Sequence, residues 1–446
     1  MFMKPLRRTS MLKAFLRMIK ANFGHWRDDR FKELEKDEMV PLRAELLSAD
    51  QMVQYGKALA GQHVIEPTDK QDRLLVRLAD NSIALRQACQ VLIQDINAQL
   101  ASAPSTIAPV SNALPITPAG EWLLDNFYLI EEQILTATAH LPKGYSRELP
   151  QLAQGPSRGL PRVYDLALSA ISHSDGRLDL ATLERFVTAY QTITPLALGE
   201  LWAIPIMLRL ALLENLRRVA ARISADRQHS READYWAAQM LETAEHDPKS
   251  LIVVIADMAR SNPPMVSAFV AQLARRLRGH GSALALGLTW IEQRIAESSL
   301  TIEQMVLTWN QQQAADQVSI SNSIGSLRIL GATNWQLFVE AMSHVEQLLR
   351  QDLAGVYEAM DFATRDRYRH VVDRLAKASR HSELAIARTA LGLAQEGHQS
   401  PQNHVGYYLI GEGLPQLEKA LQARVGLRVR LARAVARFPL TLHFGA

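Results

Sequence analysis

Leu196-Ala-Leu-Gly-Glu-Leu-Trp-Ala-Ile-Pro-Ile-Met-Leu-Arg-Leu-Ala-Leu-Leu213 is the longest candidate membrane span in the chain, and its reading decides the fold. Glu200 and Arg209 interrupt it and leave eight uncharged residues between them, whereas a spanning helix needs about 20. The segment is therefore expected to be a buried helix, running over residues 196–223. Apolar residues recur at helical spacing on both sides of it, predicting helices over 28–100, 121–139, 162–172, 179–192, 265–278, 282–298, 301–323, 334–350 and 359–379. No strand-like alternation exceeds about four residues, so the expected fold class is all-α: a multi-helix bundle or irregular helical stack with no significant sheet.

Punctuation between these segments suggests the organisation. Pro104, Pro109, Pro115 and Pro118 lie among Ser, Thr and Ala in 101–118, a composition that cannot sustain a helix and reads as a linker. Residues 141–161 and 401–413 are rich in turn-forming residues and read as irregular connections. Asp247-Pro248 and Asn262-Pro263-Pro264 read as helix starts. The expected units are a basic amphipathic helix (1–27), a first helical unit (28–100), the linker (101–118), helical domains over 119–246 and 247–418, and an Arg-rich tail (419–446).

The 446 residues are 48% hydrophobic and 21% charged, the balance of a chain that buries cores. Cys89 is the sole cysteine, which rules out an internal disulfide and fits a reducing compartment; inside a helical run it reads as a small buried hydrophobe. At the amino end, Lys13 and Arg17 break the apolar stretch that a signal peptide requires.

The net charge of +3 conceals an uneven distribution. Residues 1–27 and 419–446 hold thirteen basic and no acidic residues, so the body between them carries −10. Leu12, Phe15, Leu16 and Ile19 share one helical face, with Lys13, Arg17 and Lys20 on another. That helix either lies on an anionic inner leaflet or packs on the body with a solvated basic face. With Arg428, Arg433 and Arg437 in the tail, these are the candidate membrane-surface residues, each worth about 1 kcal/mol near anionic headgroups. Nucleic acid is not an expected partner, because the body is acidic and no reading motif is present.

The search for catalytic and cofactor chemistry is negative. The thirteen histidines are scattered without zinc spacing. Gly279-His280-Gly281 follows an arginine-rich helical run rather than a strand, so it cannot cradle phosphates. No Asp-x-Asp occurs for a metal-bound diphosphate, nor the Gln-x-x-Arg-Trp string of processive transferases. Asp175-Gly176 reads as a turn, Asp179 as a helix cap, and Glu131 with Glu132 as a solvated helical face. No catalytic, cofactor or metal residue is assigned. Two strings stand out from a plain bundle: Leu141-Pro-Lys-Gly-Tyr-Ser-Arg-Glu-Leu-Pro150 and Met360-Asp-Phe-Ala-Thr-Arg-Asp-Arg-Tyr-Arg-His370. Lys143, Tyr145, Arg147 and Glu148 in the first, and Arg365, Asp366, Arg367, Tyr368 and Arg369 in the second, are candidate interdomain contacts. They could grip a partner through Arg–carboxylate forks or clasp helices within the body, and the clasp is the favoured reading.

These strings resemble the cyclic β-1,2-glucan synthases of Gram-negative bacteria. The resemblance also runs through Trp122-Leu-Leu-Asp-Asn-Phe-Tyr-Leu-Ile-Glu-Glu-Gln133, Pro161-Arg-Val-Tyr164, His173-Ser-Asp-Gly176, Ala189-Tyr-Gln191, Gly199-Glu-Leu-Trp202, Leu213-Glu-Asn-Leu-Arg-Arg218 and His404-Val-Gly-Tyr-Tyr-Leu409. It covers roughly residues 115–420, in order. Members are large inner-membrane enzymes that polymerise glucose from UDP-glucose on a protein-linked chain, trim it with a phosphorylase-like region and cyclise it for the periplasm. The resemblance implies that this chain is the long helical amino-terminal region on the cytoplasmic side, a structural module whose partner is the remainder of the synthase. The string Leu440-Thr-Leu-His-Phe-Gly-Ala446 stands where a membrane helix would be expected to begin. The transferase and phosphorylase regions are not found, so the expectation is a truncated product or one half of a split synthase. No family catalytic residue can then be carried onto a position here, and no tyrosine is assigned as the glucan carrier. The competing expectations are a stand-alone helical interaction protein at the inner membrane surface and an independent enzyme with an unrecognised site.

Overall fold

The computed structural model describes residues 42–66, 72–101, 116–280, 284–297, 299–397 and 399–423. The basic helix 1–27, most of the linker 101–118, and Lys13, Arg17, Lys20, Arg428, Arg433 and Arg437 lie outside these residues. Among the described residues the fold is all-α, with nineteen α-helices and one two-residue pairing of strands. The first elements are α1 (Ala49–Gln62), β1 (Ile65–Glu66), α2 (Arg73–Ala101), α3 (Pro118–Asp125), α4 (Phe127–His140), α5 (Tyr145–Glu148) and β2 (Gln151–Leu152). They continue with α6 (Arg162–Ser172), α7 (Leu180–Gln191), α8 (Leu198–His246), α9 (Leu251–Ser261), α10 (Ser267–Leu277), α11 (Ala285–Ala296) and α12 (Ile302–Ala332). The last are α13 (Trp335–Met342), α14 (His344–Leu349), α15 (Val356–Ala359), α16 (Phe362–Ala378), α17 (Glu383–Glu396), α18 (Val405–Leu409) and α19 (Leu414–Ala420).

Helix α8 is the hub: α2, α6, α10 and α12 all pack against it. At 1.5 Å per residue its 49 residues extend about 70 Å. It begins where the Glu200 carboxylate accepts the Ala197 amide at 2.9 Å, satisfying one of the free donors of the first turn. Pro205 sits inside it, removing one internal hydrogen bond. The membrane-span candidate is its first third, where most residues are buried by protein and none is exposed. Beyond Ile223, where the sequence expectation ended, burial narrows to Arg227, Ser230, Ala233, Ala237 and Met240, a single stripe at helical spacing. The stop comes at Asp247, extended at φ −146° before Pro248, as a residue preceding proline must be. No helix among the described residues is long and apolar enough to cross a membrane.

Two predicted helices are broken, each by a side chain that outcompetes the backbone. Within 121–139, the Asn126 amide bonds the Trp122 carbonyl at 2.9 Å and accepts from Arg328 at 2.7 Å, so α3 ends and α4 begins there. Within 334–350, Ser343 is extended and its hydroxyl accepts the Glu346 amide at 3.2 Å, restarting the chain as α14. The turn-rich connection 401–413 in turn contains a short helix, α18. Asp179 caps α7 by accepting from Thr182 N, as its position suggested.

Glu131 corrects the sequence reading of a solvated carboxylate. Arg86 forks onto it at 2.7 and 2.8 Å and leaves it half-buried, while Glu132 is exposed. The fork faces α2, which periodicity on α4 alone could not reveal. Cys89 is 1% exposed in the same region, and burial pushes its thiol up.

The apolar core has separate foci. One joins α8 from Ala233 to Met240 with α9, α10 and α11 and the start of α12. Another joins α14 to α19 around Val372, Ile386 and Leu409.

Candidate functional site

The restart at Ser343 places Glu340 at the end of α13 and Glu346 in the first turn of α14. Arg365 and Arg369, one turn apart on α16, meet them. Arg365 forks onto Glu340 at 2.9 and 3.0 Å. Arg369, fully buried, bridges Glu340 at 3.1 Å and Glu346 at 2.5 Å through one nitrogen and bonds Asp366 at 3.1 Å through another. Arg350 and the Tyr357 hydroxyl complete the shell around Glu346 at 2.8 and 2.7 Å. Burial alone would raise the Glu346 carboxyl, but the donors Arg350, Tyr357 and Arg369 outweigh it and hold it below its ordinary value. Burial and the Glu346 charge push the Tyr357 phenol up. The Arg369 guanidinium also lies 5.0 Å from the Phe362 ring centroid, and that ring meets Trp202 of α8 edge-on.

Of the string 365–369, Arg367 alone is exposed; the rest turns inward. Tyr368 reaches His404 at 3.4 Å, and His404 bonds Asp352 at 2.6 Å, whose other oxygen accepts the Val405 amide at 2.9 Å. Two strings far apart in sequence are thereby brought together. A comparable trio forms elsewhere: His63 lies 2.8 Å from the Tyr190 hydroxyl and 3.1 Å from Asp165. Both trios have the order of a base held between a carboxylate and a hydroxyl. Tyr190 and Tyr368 are buried, however, and burial raises both phenols, Tyr190 to about 12. Their geometry pins loops to helices.

The loop 141–150 is anchored by residues the sequence did not single out. Asp72 accepts the Gly144 amide at 2.8 Å and the Ser146 hydroxyl at 2.7 Å. Lys143, Arg147 and Glu148 are exposed and Tyr145 half-buried. Glu148 and Lys377 of α16 approach to 3.6 Å, an exposed pair of small energetic weight. Lys377 lies beyond the 360–370 string, so this pair ties the loop 141–150 to the end of α16 rather than to that string.

A line of buried charge follows α8. Arg162 forks onto Glu200, and Arg209 bonds Gln133 at 2.7 Å. Glu214, with no exposed surface, accepts from Arg77 at 2.8 and 3.2 Å, Arg217 at 3.1 Å and Arg218 at 2.8 Å. Burial opposes its ionisation, but Arg77 and Arg217 lead the charges that pull its carboxyl far below the usual range. Asp316 pairs with Arg222, and Asp95 accepts from Arg227 at 2.6 Å. Such pairs specify which helix faces which more than they add net stability.

One face of α8 borders a cavity of about 700 Å³ shared with α10, α12 and residues 116–118. Asp226 and Ser230 line it from α8, Arg275 from α10 and Arg278 just past its end, and Trp309 and Gln313 from α12. Asp226 Oδ2 and both polar atoms of the Gln313 side chain are buried with no hydrogen-bond partner among the described residues. Burial raises the Asp226 carboxyl to about 6, with Arg222 opposing. No local motif marks this cavity, because its polar groups come from separate helices. No group of three or more His, Cys, Asp or Glu among the described residues is placed to hold a metal ion.

No family model matches the chain. Over 343 residues, 75% of the chain, it is 31% identical to the cyclic β-(1,2)-glucan synthase NdvB of Rhizobium meliloti (strain 1021). The chain is related to the cyclic β-(1,2)-glucan synthases. The match bears out the resemblance carried by the strings, and it spans 12% of that synthase's length. What relates the chain to the glucan synthase is therefore a helical region built around α8, with internal charge clasps.

Proposed function

We propose that this chain serves as the amino-terminal helical module of a cyclic β-1,2-glucan synthase, on the cytoplasmic side of the inner membrane, with a structural and assembly role. The observation that carries the reading is the 31% identity over 343 residues to the Rhizobium meliloti synthase. The geometry supports a scaffold, because Arg365 and Arg369 of the 360–370 string are spent on Glu340 and Glu346 inside the body. Transferase and phosphorylase chemistry would belong to other sequence, the partner of this module. The basic residues at both ends, Lys13 and Arg17 at one and Arg428 and Arg433 at the other, would meet anionic headgroups.

The deciding experiment deletes the coding sequence in the bacterium that carries it and measures periplasmic cyclic β-1,2-glucan, then restores the sequence in trans. Loss and recovery of the glucan are expected. Unchanged glucan would reject the reading in favour of a stand-alone interaction protein. The purified chain given labelled UDP-glucose should incorporate none above background, and clear incorporation would reject the assignment of chemistry to other sequence.

A further inference from the structure

Helix α12 is built inside out over its second half. Ser319, Ser323 and Ser326 point inward and are buried, and their hydrogen bonds are met within the chain. Asn215 donates to Ser319 and Ser323 at 3.0 Å each, and Ser326 donates to the Gly176 carbonyl at 2.7 Å. The outward face carries Leu307, Val318 and Ile329, which are 57%, 52% and 39% exposed. At about 100° per residue these three lie within about 20° of one line along the helix. No charged residue falls within about 40° of that line between Gln304 and Ala332, a length of about 42 Å. The outward face of a helix is ordinarily its charged one, so this stripe has the composition of a covered surface.

The order of the stripe selects the cover. Leu307 and Ile329 each stand 11 residues from Val318, on opposite sides of it. A second α12 laid antiparallel on the first, with a two-fold axis at Val318, sets Val318 on its own counterpart and Leu307 on the partner's Ile329. The polar positions then meet small ones. Gln311 faces the partner's Gly325, Gln304 the partner's Ala332 and Asn322 the partner's Ala314. Gly325 gives independent support. A Cβ added there would meet nothing within 4 Å in this chain, so no internal contact requires a glycine that weakens the helix. The partner's Gln311 would occupy that space. A lipid surface fits less well, because Gln304, Gln311 and Asn322 would enter an apolar layer unpaired. An unrelated partner has no need of an order symmetric about Val318.

We propose that the outer face of α12 is a self-association surface, on which two copies of this chain pair antiparallel with their two-fold axis at Val318. A strip about 42 Å long and about 10 Å wide offers about 400 Å² per partner, against the ~800 Å² of a standard stable interface. The dimer is therefore reversible, with a dissociation constant of about 10–100 μM. The pairing goes beyond the scaffold reading, and either can fail without the other.

Sedimentation equilibrium of the purified full chain, from about 5 to about 300 μM, tests the pairing. The average mass should rise from one chain toward two as concentration increases. V318E sets two carboxylates against each other at the axis and should weaken the dimer about tenfold or more, with far-ultraviolet dichroism unchanged. Cysteine placement tests the symmetry. V318C should form a disulfide-linked dimer on mild oxidation and L307C alone should not, whereas L307C combined with I329C should. Cys89 is 1% exposed and does not compete. Three results would overturn the proposal: the mass of one chain at every concentration, V318E dimerising as the parent does, or L307C cross-linking as readily as V318C.

Discussion

Arg162, at the first position of α6, forks onto Glu200 of α8 at 2.6 and 2.7 Å, with 4% and 1% of the two side chains exposed. The same Glu200 carboxylate accepts the Ala197 amide, so one acid both caps the longest helix and fixes its neighbour. Arg162 also bonds the Pro195 carbonyl at 2.9 Å, tying the chain that leads into α8.

Removing one member of this pair leaves the other charged and buried. Glu200→Ala is expected to cost about 3–5 kcal/mol, read as a lower urea midpoint with an unchanged slope. Arg162→Lys keeps the charge but loses the planar fork and should also destabilise, by less. A midpoint unmoved by Glu200→Ala would contradict the pairing.

The string 360–370 offers a matched comparison on a single helix. Arg369 is fully buried between Glu340 and Glu346, whereas Arg367 two positions earlier is exposed. Arg369→Ala should cost about 3 kcal/mol or more, and Arg367→Ala should stay within about 0.5 kcal/mol. Thermal unfolding of both variants distinguishes an internal clasp from a surface grip; equal effects would refute the clasp.

Glu214 governs an acid limb. Its carboxyl is held below its unfolded value by Arg77, Arg217 and Arg218 against the opposing effect of burial. Its contribution is therefore complete above an unfolded value of about 4.3 and is lost as pH falls toward the folded value. Glu214→Gln should destabilise at pH 7, by about 3–5 kcal/mol, and should flatten the decline below pH ~4. Denaturant midpoints measured across the acid range check both.

Asp226 has the opposite sign. Its carboxyl is raised by burial to about 6 in the folded chain. The folded state therefore binds the proton more tightly, and stability falls as pH rises from about 4 to about 6, then levels. Asp226→Asn removes this dependence and should stabilise the chain at pH 7 by about 2 kcal/mol, with little effect at pH 4. A variant no more stable than the parent at pH 7 would show that the carboxylate has found solvent or a partner.

Much of the helical framework was legible because its causes are local. Asp179 was readable as a cap, since a carboxylate one position before an apolar-periodic run can satisfy the free amides of the first turn. Where the sequence reading merged helices, at Asn126 and Ser343, the break depends on a polar side chain choosing a backbone partner, and at Asn126 the choice is held by Arg328 from 202 residues away. The charged string around Arg369 was visible as unusual, and its inward clasp was the favoured reading. That it closes on Glu340 and Glu346 could not be seen, because those acids acquire their positions only after the chain restarts at Ser343.

The sequence by itself determined that this chain is all-α and that residues 196–213 are a buried helix rather than a membrane span; that this helix runs on past Ile223 to His246 was not read from it. Both readings follow from 3.6-residue periodicity and from the charges at Glu200 and Arg209. Only the tertiary structure decided that Arg77 serves Glu214 from 137 residues away, that Asp72 anchors the loop at Gly144, and that Asp226 and Gln313 line one cavity. Local periodicity says which face of a helix is buried. Which charge meets which acid depends on how whole helices pack, and that is set by the sum of contacts along α8 rather than by any short stretch of sequence.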